Sequence, residues 1–347
     1  MSGHKQSDLG EDIEHKTIEQ WRETLTEVDT GGDVKRRAIA VVGAGLIGRG
    51  WAIVFARSRC QVRLYDTSSE QLQNARLQIE AQLALMTDAG MIADSRGILD
   101  CIEYVDDLAT AVEGVEYVQE CGPEILETKQ ELFAELDRLT HPDACLASST
   151  SAIRTSLFTG NLTGRHRMLV AHPVNPPHLV PLVELSPAPW TDAATVDRAR
   201  QLMSAVGQSP ILVKQEIDGF ILNRLQAALL NEAVRLVADG YVSPADLDKT
   251  VADGLGLRWS FMGPFETIDL NAPAGVRDYA ERYSPFFRRI VESQSTVPDW
   301  QGEALDELDA YNRERLSIDE IATRSQWRDE RLAQLRVHKS NMQERDG

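Results

Sequence analysis

The chain has 347 residues, more than one compact core usually holds, so it reads as two domains with appendages. Its net charge of -18 gives a surface that repels nucleic-acid phosphates and anionic membranes, so neither is an expected partner. No apolar run is long enough to span a bilayer, and Cys60, Cys101, Cys121 and Cys145 form no C-x-x-C pair. That reads as reduced thiols in a cytoplasmic protein, with no disulfide frame and no metal site.

In chain order, the first stretch, "MSGHKQSDLGEDIEHK", lacks the apolar core of a secretory signal. Leu9, Ile13, Trp21, Leu25 and Val28 recur at helical spacing and Gly31-Gly32 ends the pattern, which predicts a helical extension over 1–34. It is read as docked on the body of its own chain or against a second subunit. From residue 35 to 215 strands alternate with helices. "AIAVV", "QVRLYD", "VEYVQE", "ACLASS", "RMLVAH", "PLVEL" and "PILVKQ" are the strand candidates. "SSEQLQNARLQIEAQLALMTDAG" and "ELFAELDRL" are amphipathic helices among them. This alternation predicts an α/β Rossmann-type fold, a doubly wound and mostly parallel sheet covered on both faces. After Asp218 strand signals fade, which predicts an all-α domain over 216–310. Its first helix, "GFILNRLQAALLNEAVRLVADG", is apolar on most faces and is expected to be buried. "SPADLDKTVADG" starts a second helix on a serine cap, and the capping box "SIDE" opens a charged helical tail over 311–347.

Two motifs carry chemistry. "AVVGAGLIGRG" is G-x-G-x-x-G with Gly43, Gly45 and Gly48 between a strand and a helix. The glycines permit the tight turn, the approach of a pyrophosphate and close helix–strand packing. The amides around Leu46 and Ile47 then face the phosphates. Asp66, at the end of the second strand, is placed to accept from the adenosine ribose hydroxyls and to repel a 2′-phosphate, so the expected cofactor is NAD. The second motif is "AHPVNPPHLVPLVEL". Its prolines make an extended, rigid path that can lay Glu184 beside His172. An imidazole steadied by a carboxylate can take an alcohol proton while NAD takes hydride. From spacing alone, a satisfied structural histidine is the stronger reading.

"HPVNP", the glutamate that follows it, and "GFILNRL" further on resemble the 3-hydroxyacyl-CoA dehydrogenase superfamily over roughly Ala38 to Tyr283. "SSTSAI", "GLGLRWSFMGPFETIDLN" and "QWRDERL" extend the likeness, towards members acting on free hydroxy acids, nearly to the C-terminus. The resemblance implies that His172 is the general base and Glu184 its partner. It implies further that Ser151 positions the substrate oxygen, that Asn223 lies near the reacting carbonyl, and that Asn175 lines the same site. Glu124 and Lys129 match cofactor contacts near the nicotinamide ribose. The resemblance also implies a site in the cleft between domains and a homodimer joined through the helical domain. The helix after the second strand carries Arg76 as its only cation, which disfavours a CoA ester and favours a small anionic hydroxy acid. Its carboxylate needs a cation, and Arg224 and Arg258 are the candidates, each with a structural ion pair as the plainer role. A β-hydroxy acid bearing a quaternary ammonium is the alternative substrate, with Trp259, Phe261 and Phe265 as possible rings to hold it. A purely structural role is the alternative from another class, and the intact glycine turn, His172 and Glu184 argue against it.

Overall fold

The structure is a computed structural model, described here for residues 37–294, 298, 300 and 302–346. The extension expected over 1–34 lies outside the described residues. The chain builds β1 (Ala38–Val42), α1 (Leu46–Arg57), β2 (Gln61–Tyr65), α2 (Ser69–Asp88), α3 (Ser95–Leu99), β3 (Ile102–Val105) and α4 (Leu108–Val112). It continues through β4 (Tyr117–Glu120), α5 (Leu126–Leu139), β5 (Cys145–Ser148), α6 (Thr155–Thr159), β6 (Met168–Pro173), β7 (Leu182–Pro187), α7 (Ala193–Ala205) and β8 (Ser209–Leu212).

These strands form one eight-stranded sheet in the order β3-β2-β1-β4-β5-β6-β7-β8. Pairing is parallel throughout except between β6 and β7. The chain winds outward from β1 to β3, then returns to β4 on the other side of β1. The carboxyl ends of β1 and β4 therefore flank the crevice where a doubly wound sheet takes its ligand. Each face is covered by its own apolar core. Trp51, Phe55, Ile79, Leu83, Leu202 and Met203 from α1, α2 and α7 fill one. Val112, Phe133, Leu136 and Phe158 from α4, α5 and α6 fill the other. Central strands β4 and β5 are buried at every residue; β1 reads as an apolar run, while β4 buries Gln119 and Glu120 as well.

The rest is helical: α8 (Leu222–Ala238), α9 (Pro244–Lys249), a π-turn over Thr250–Leu255, α10 (Gly256–Trp259), α11 (Pro264–Asp269), α12 (Gly275–Ser293), α13 (Glu303–Arg315) and α14 (Ile321–Asp346). Ser243 caps α9 through the Asp246 N–H, and Ser317 with Glu320 forms the capping box that leads into α14. The last helix returns to the sheet domain and packs on α2, burying Ala333 fully in the first core. One expectation fails. The helix expected to be buried, α8, hides only Val234 and Val237, while Leu225 is 63% exposed. Apolar periodicity reports a surface that avoids water, and not which partner covers it.

His178, on the loop after β6, is buried and packed at α1. Its Nε2 meets Gln82 Oε1 at 3.2 Å, and its Nδ1 has no partner. Burial first, and the charge of Arg57 second, push its pKa down from 6.5 to about 3. The unfolded chain binds a proton on this ring below its ordinary value and the folded one does not until about 3, so the contribution falls as pH drops through that window. Urea unfolding should therefore show about 1 kcal/mol of extra loss between pH 7 and 5.5 that disappears in His178→Gln. An undiminished loss in the variant would remove His178 as its source.

Candidate active site

The antiparallel register of β6 and β7 sets His172 directly opposite Glu184. The imidazole Nδ1 and Glu184 Oε2 are 2.8 Å apart, with both residues buried. A carboxylate there accepts the Nδ1 proton, which leaves Nε2 as the acceptor. The other carboxylate oxygen, Oε1, accepts the backbone N–H groups of Ile221 and Leu222, each at 2.9 Å, at the start of α8. Burial pulls the Glu184 carboxyl up, but the His172 hydrogen bond and these two N–H groups outweigh it and hold its pKa below the usual range. Two successive left-handed residues, Gly219 at φ 76° and Phe220 at φ 48°, make the turn that aims those amides. Phe220 is fully buried, and its ring centroid lies 5.5 Å from that of His172.

His172 opens onto a cavity of about 440 Å³. Ser151, Asn175, Asn223 and Glu124 line it too, so residues from four separate stretches of sequence meet there. Asn223 Nδ2 donates to the Ser151 carbonyl at 3.0 Å, which fixes the amide against the loop after β5. Glu124 takes the Thr150 hydroxyl in a short hydrogen bond and the Ala152 N–H at 3.3 Å. Gln226, Ser149 and Cys121 are lining residues with hydrogen-bonding groups that the sequence did not reveal. Gln226 lies one turn beyond Asn223 on α8, and that helical spacing was the available signal. Ser149 accepts from Trp51 Nε1 at 3.1 Å and from Gln119 Nε2 at 2.7 Å, and also meets the Cys121 thiol. Nothing in the linear sequence links those groups.

A second cavity, of about 670 Å³, adjoins the first and shares Cys121 and Gly122 with it. Gly43, Gly45 and Asp66 line it. Gly43 sits at φ 107° with its missing Cβ 2.7 Å from the Cys121 carbonyl oxygen. A Cβ on Gly48 would fall 1.7 Å from the Gly43 carbonyl oxygen, so helix and turn touch only because Gly48 has no side chain. Gly45 faces open space, and as N-cap it brings no side chain to the first N–H groups of α1 around Leu46 and Ile47. Ile47 reaches the His172 cavity as well. Asp66 Oδ2 accepts the Ala44 N–H at 2.9 Å and Oδ1 the Ser68 N–H at 3.1 Å, which holds the carboxylate beside the turn. An uncapped helix start, a bare glycine and an anchored carboxylate are the features a dinucleotide needs for its pyrophosphate and ribose.

The model of the 3-hydroxyacyl-CoA dehydrogenase NAD-binding domain matches residues 38–217, and that of the family's C-terminal domain matches 219–299. The chain belongs to the 3-hydroxyacyl-CoA dehydrogenase family. It is an NAD-dependent oxidoreductase acting on a hydroxyl group. Lambda-crystallin of Oryctolagus cuniculus is 43% identical over 311 residues, covering 88% of this chain and 97% of that protein. An L-carnitine dehydrogenase of Streptomyces coelicolor is 36% identical over 250 residues, covering 72% of this chain and 78% of the relative. A solved 5-formyl-3-hydroxy-2-methylpyridine 4-carboxylic acid 5-dehydrogenase, described as an NAD+ dependent dismutase, superposes with a TM-score of 0.75 at 28% identity. It covers 86% of this chain and 97% of its own. Among the described residues no group of three His, Cys, Asp or Glu could hold a metal ion, and no helix is long and apolar enough to cross a membrane.

Three residues expected to contact ligands, Lys129, Arg224 and Arg258, line neither cavity. Lys129 is 1% exposed and bonds both Glu120 carboxylate oxygens at 2.9 Å, so its ammonium faces neither cavity. A family position in a helix register does not say which way a lysine turns when a buried glutamate lies nine residues before it. Ser148 and the Gly122 N–H complete this buried cluster, which ties β4, β5 and the loop to α5. Arg224 reaches back to the Asp218 carbonyl at 3.5 Å and does not line the His172 cavity, because it projects from a different side of α8 than Asn223 and Gln226. Arg258, on α10, is exposed and lines it no more than Arg224 does. Lys129→Met should cost about 3–5 kcal/mol by leaving Glu120 charged and unpaired. Adding Glu120→Gln should recover most of the loss in chemical denaturation, and failure to recover it would deny that the pair acts as a unit.

Proposed function

We propose that this enzyme oxidises the 3-hydroxyl of a small free hydroxy acid, L-gulonate to 3-dehydro-L-gulonate, with His172 as general base. The observation that carries the reading is the His172–Glu184 pair, set in a cavity that shares a wall with the glycine turn. NAD, when bound along that turn, supplies the hydride acceptor. The chain's own part is to handle the proton. Nε2 of His172 takes it from the substrate hydroxyl, and Glu184 stabilises the imidazolium that results. The Ser151 hydroxyl and the Asn223 amide, both facing the cavity, steady the substrate oxygen as it becomes a carbonyl. Gly43, Gly45, Leu46, Ile47, Gly48 and Asp66 are the cofactor cradle, and Glu124 lies at its inner end.

The likeness of "VAHPVNPPHLVPLVEL" and "GLGLRWSFMGPFETIDLN" to L-gulonate 3-dehydrogenases supports the substrate assignment. So does the lining, in which Glu124, Ser151, Asn175, Asn223 and Gln226 offer hydrogen bonds to a polyhydroxy chain. No arginine or lysine lines the cavity among the described residues, so amides and hydroxyls take over the binding of the substrate carboxylate. L-Carnitine is the second reading, favoured by the Glu124 carboxylate, a counter-charge for its ammonium. The cavity is lined by no aromatic side chain other than the His172 imidazole, so Trp259, Phe261 and Phe265 form no cage there among the described residues. The same reading takes a second copy of the chain as the partner of the helical domain, whose exposed face includes Leu225, Tyr283, Phe286 and Val291.

NADH formation should be fastest with L-gulonate in a panel that includes L-carnitine and short 3-hydroxy acids. His172→Ala should lower kcat about a thousandfold with little change in NAD affinity. Unchanged turnover in the variant rejects the base, and preference for carnitine rejects the substrate. Light scattering should give a native mass twice the 38.6 kDa of the chain, and a monomer rules out the second copy.

A further inference from the structure

Away from the dinucleotide crevice, two guanidiniums share a cleft that no carboxylate lines among the described residues. β1 and β4 present their carboxyl ends to the crevice, and α1 runs back from there, so Arg57 at its last residue lies at the opposite rim of the sheet. The cleft there, of about 410 Å³, is walled by the end of α1, the turn after α2, the turn after α7 and one side of α14. Arg57 and Arg336 supply its charge, and Ser58, Ser340 and Asn341 its neutral polar groups.

Arg57 donates to two neutral acceptors, the carbonyls of His178 at 3.0 Å and Val206 at 3.3 Å. These fix the guanidinium but leave its charge uncompensated. Arg336 stands on α14 four residues before Ser340, on the same side of the helix, and has no hydrogen bond or ion pair among the described residues. Burial, with the Arg336 charge adding to it, pulls Arg57 down to about 10, and burial lowers Arg336 as well. In a chain with 54 acidic against 36 basic residues, two partly buried arginines lining one cleft, with no carboxylate in its lining among the described residues, oppose the general trend. Like charges drawn out of water repel, and an anion between them reverses the sign of that interaction. The planar guanidinium matches a tetrahedral oxyanion with paired N–H donors.

We propose that this cleft binds a small phosphoryl dianion, which bridges Arg57 of the sheet domain to Arg336 of the tail helix and so clamps α14 onto the body. Inorganic phosphate and a phosphate monoester share the chemistry, and the cleft has room for either.

The test uses the full chain with NAD at saturation, so that the glycine turn cannot take the added anion. Thermal unfolding is followed against inorganic phosphate, against glycerol 3-phosphate, and against chloride at equal ionic strength. At about a hundred times the dissociation constant, a phosphate ligand should raise Tm by several degrees beyond chloride. A response to only one of the two identifies the source. Arg336→Gln should abolish the increment while turnover and NAD affinity stay at wild-type values, and Arg336→Lys should keep part of it. If Arg336→Gln does not fold, Ser340→Ala decides, with an expected rise of roughly tenfold in the phosphate dissociation constant by calorimetry. No increment over chloride from either phosphate, or an increment that survives in Arg336→Gln, or unchanged affinity in Ser340→Ala, overturns the proposal.

Discussion

One carboxylate joins the two halves of this enzyme. Glu184 belongs to β7 of the sheet, yet one of its oxygens holds the His172 ring and the other accepts two backbone amides at the start of the first helix beyond the sheet. Both oxygens are spent, and the residue is fully buried. The orientation of the candidate base and the docking of α8 therefore depend on the same group. Asn223 and Gln226 follow on that helix, so the polar side of the cavity is positioned from the same point. A buried carboxylate with this many donors stays ionised, which is the state that fixes the imidazole tautomer. The left-handed Phe220 beside it is the conformational cost of turning the chain sharply enough to deliver those amides.

Much of this was legible before any coordinates. Central strand β1 stands out as an apolar run, and the glycine pattern with Asp66 marks the cofactor side. Edge strand β3 does not, because its four residues are only half buried and carry no continuous apolar signal. The short helices α3, α4 and α6 have five residues each, too few to show a helical period. The proline-rich stretch placed His172 and Glu184 on neighbouring extended segments, which the strand register matches. Charged residues were harder to place. Lys129 is expected from the family resemblance and Arg224 and Arg258 from their neighbourhood, yet Lys129 turns to Glu120 and neither arginine lines the His172 cavity. A long flexible side chain can reach in many directions, and a buried partner such as Glu120 decides the direction without leaving a local trace.

The site that results is polar without being cationic. Its lining offers amides, hydroxyls and one carboxylate. Groups of that kind select by hydrogen-bond geometry more than by charge. A site built this way rejects an analogue lacking a hydroxyl, because its own donors would be left unpaired. The strong negative charge of the chain as a whole gives no long-range attraction to an acid, so capture rests on these short-range contacts.

The single antiparallel pairing in the sheet has a further consequence. Two parallel strands need a crossover of a dozen residues or more, usually through a helix, whereas antiparallel ones can be joined by a short loop. Reversing β7 lets His172 and Glu184 face each other across a short linker rich in proline, only twelve positions apart in the chain. The pair is thus a local sequence feature carried on a non-local fold. It is also intolerant of slippage: moving either strand by one residue would swing the carboxylate to the opposite face of the sheet, away from both the ring and the helix start. The prolines that stiffen the connection act as a ratchet pawl, holding the one alignment in which the two functional groups meet.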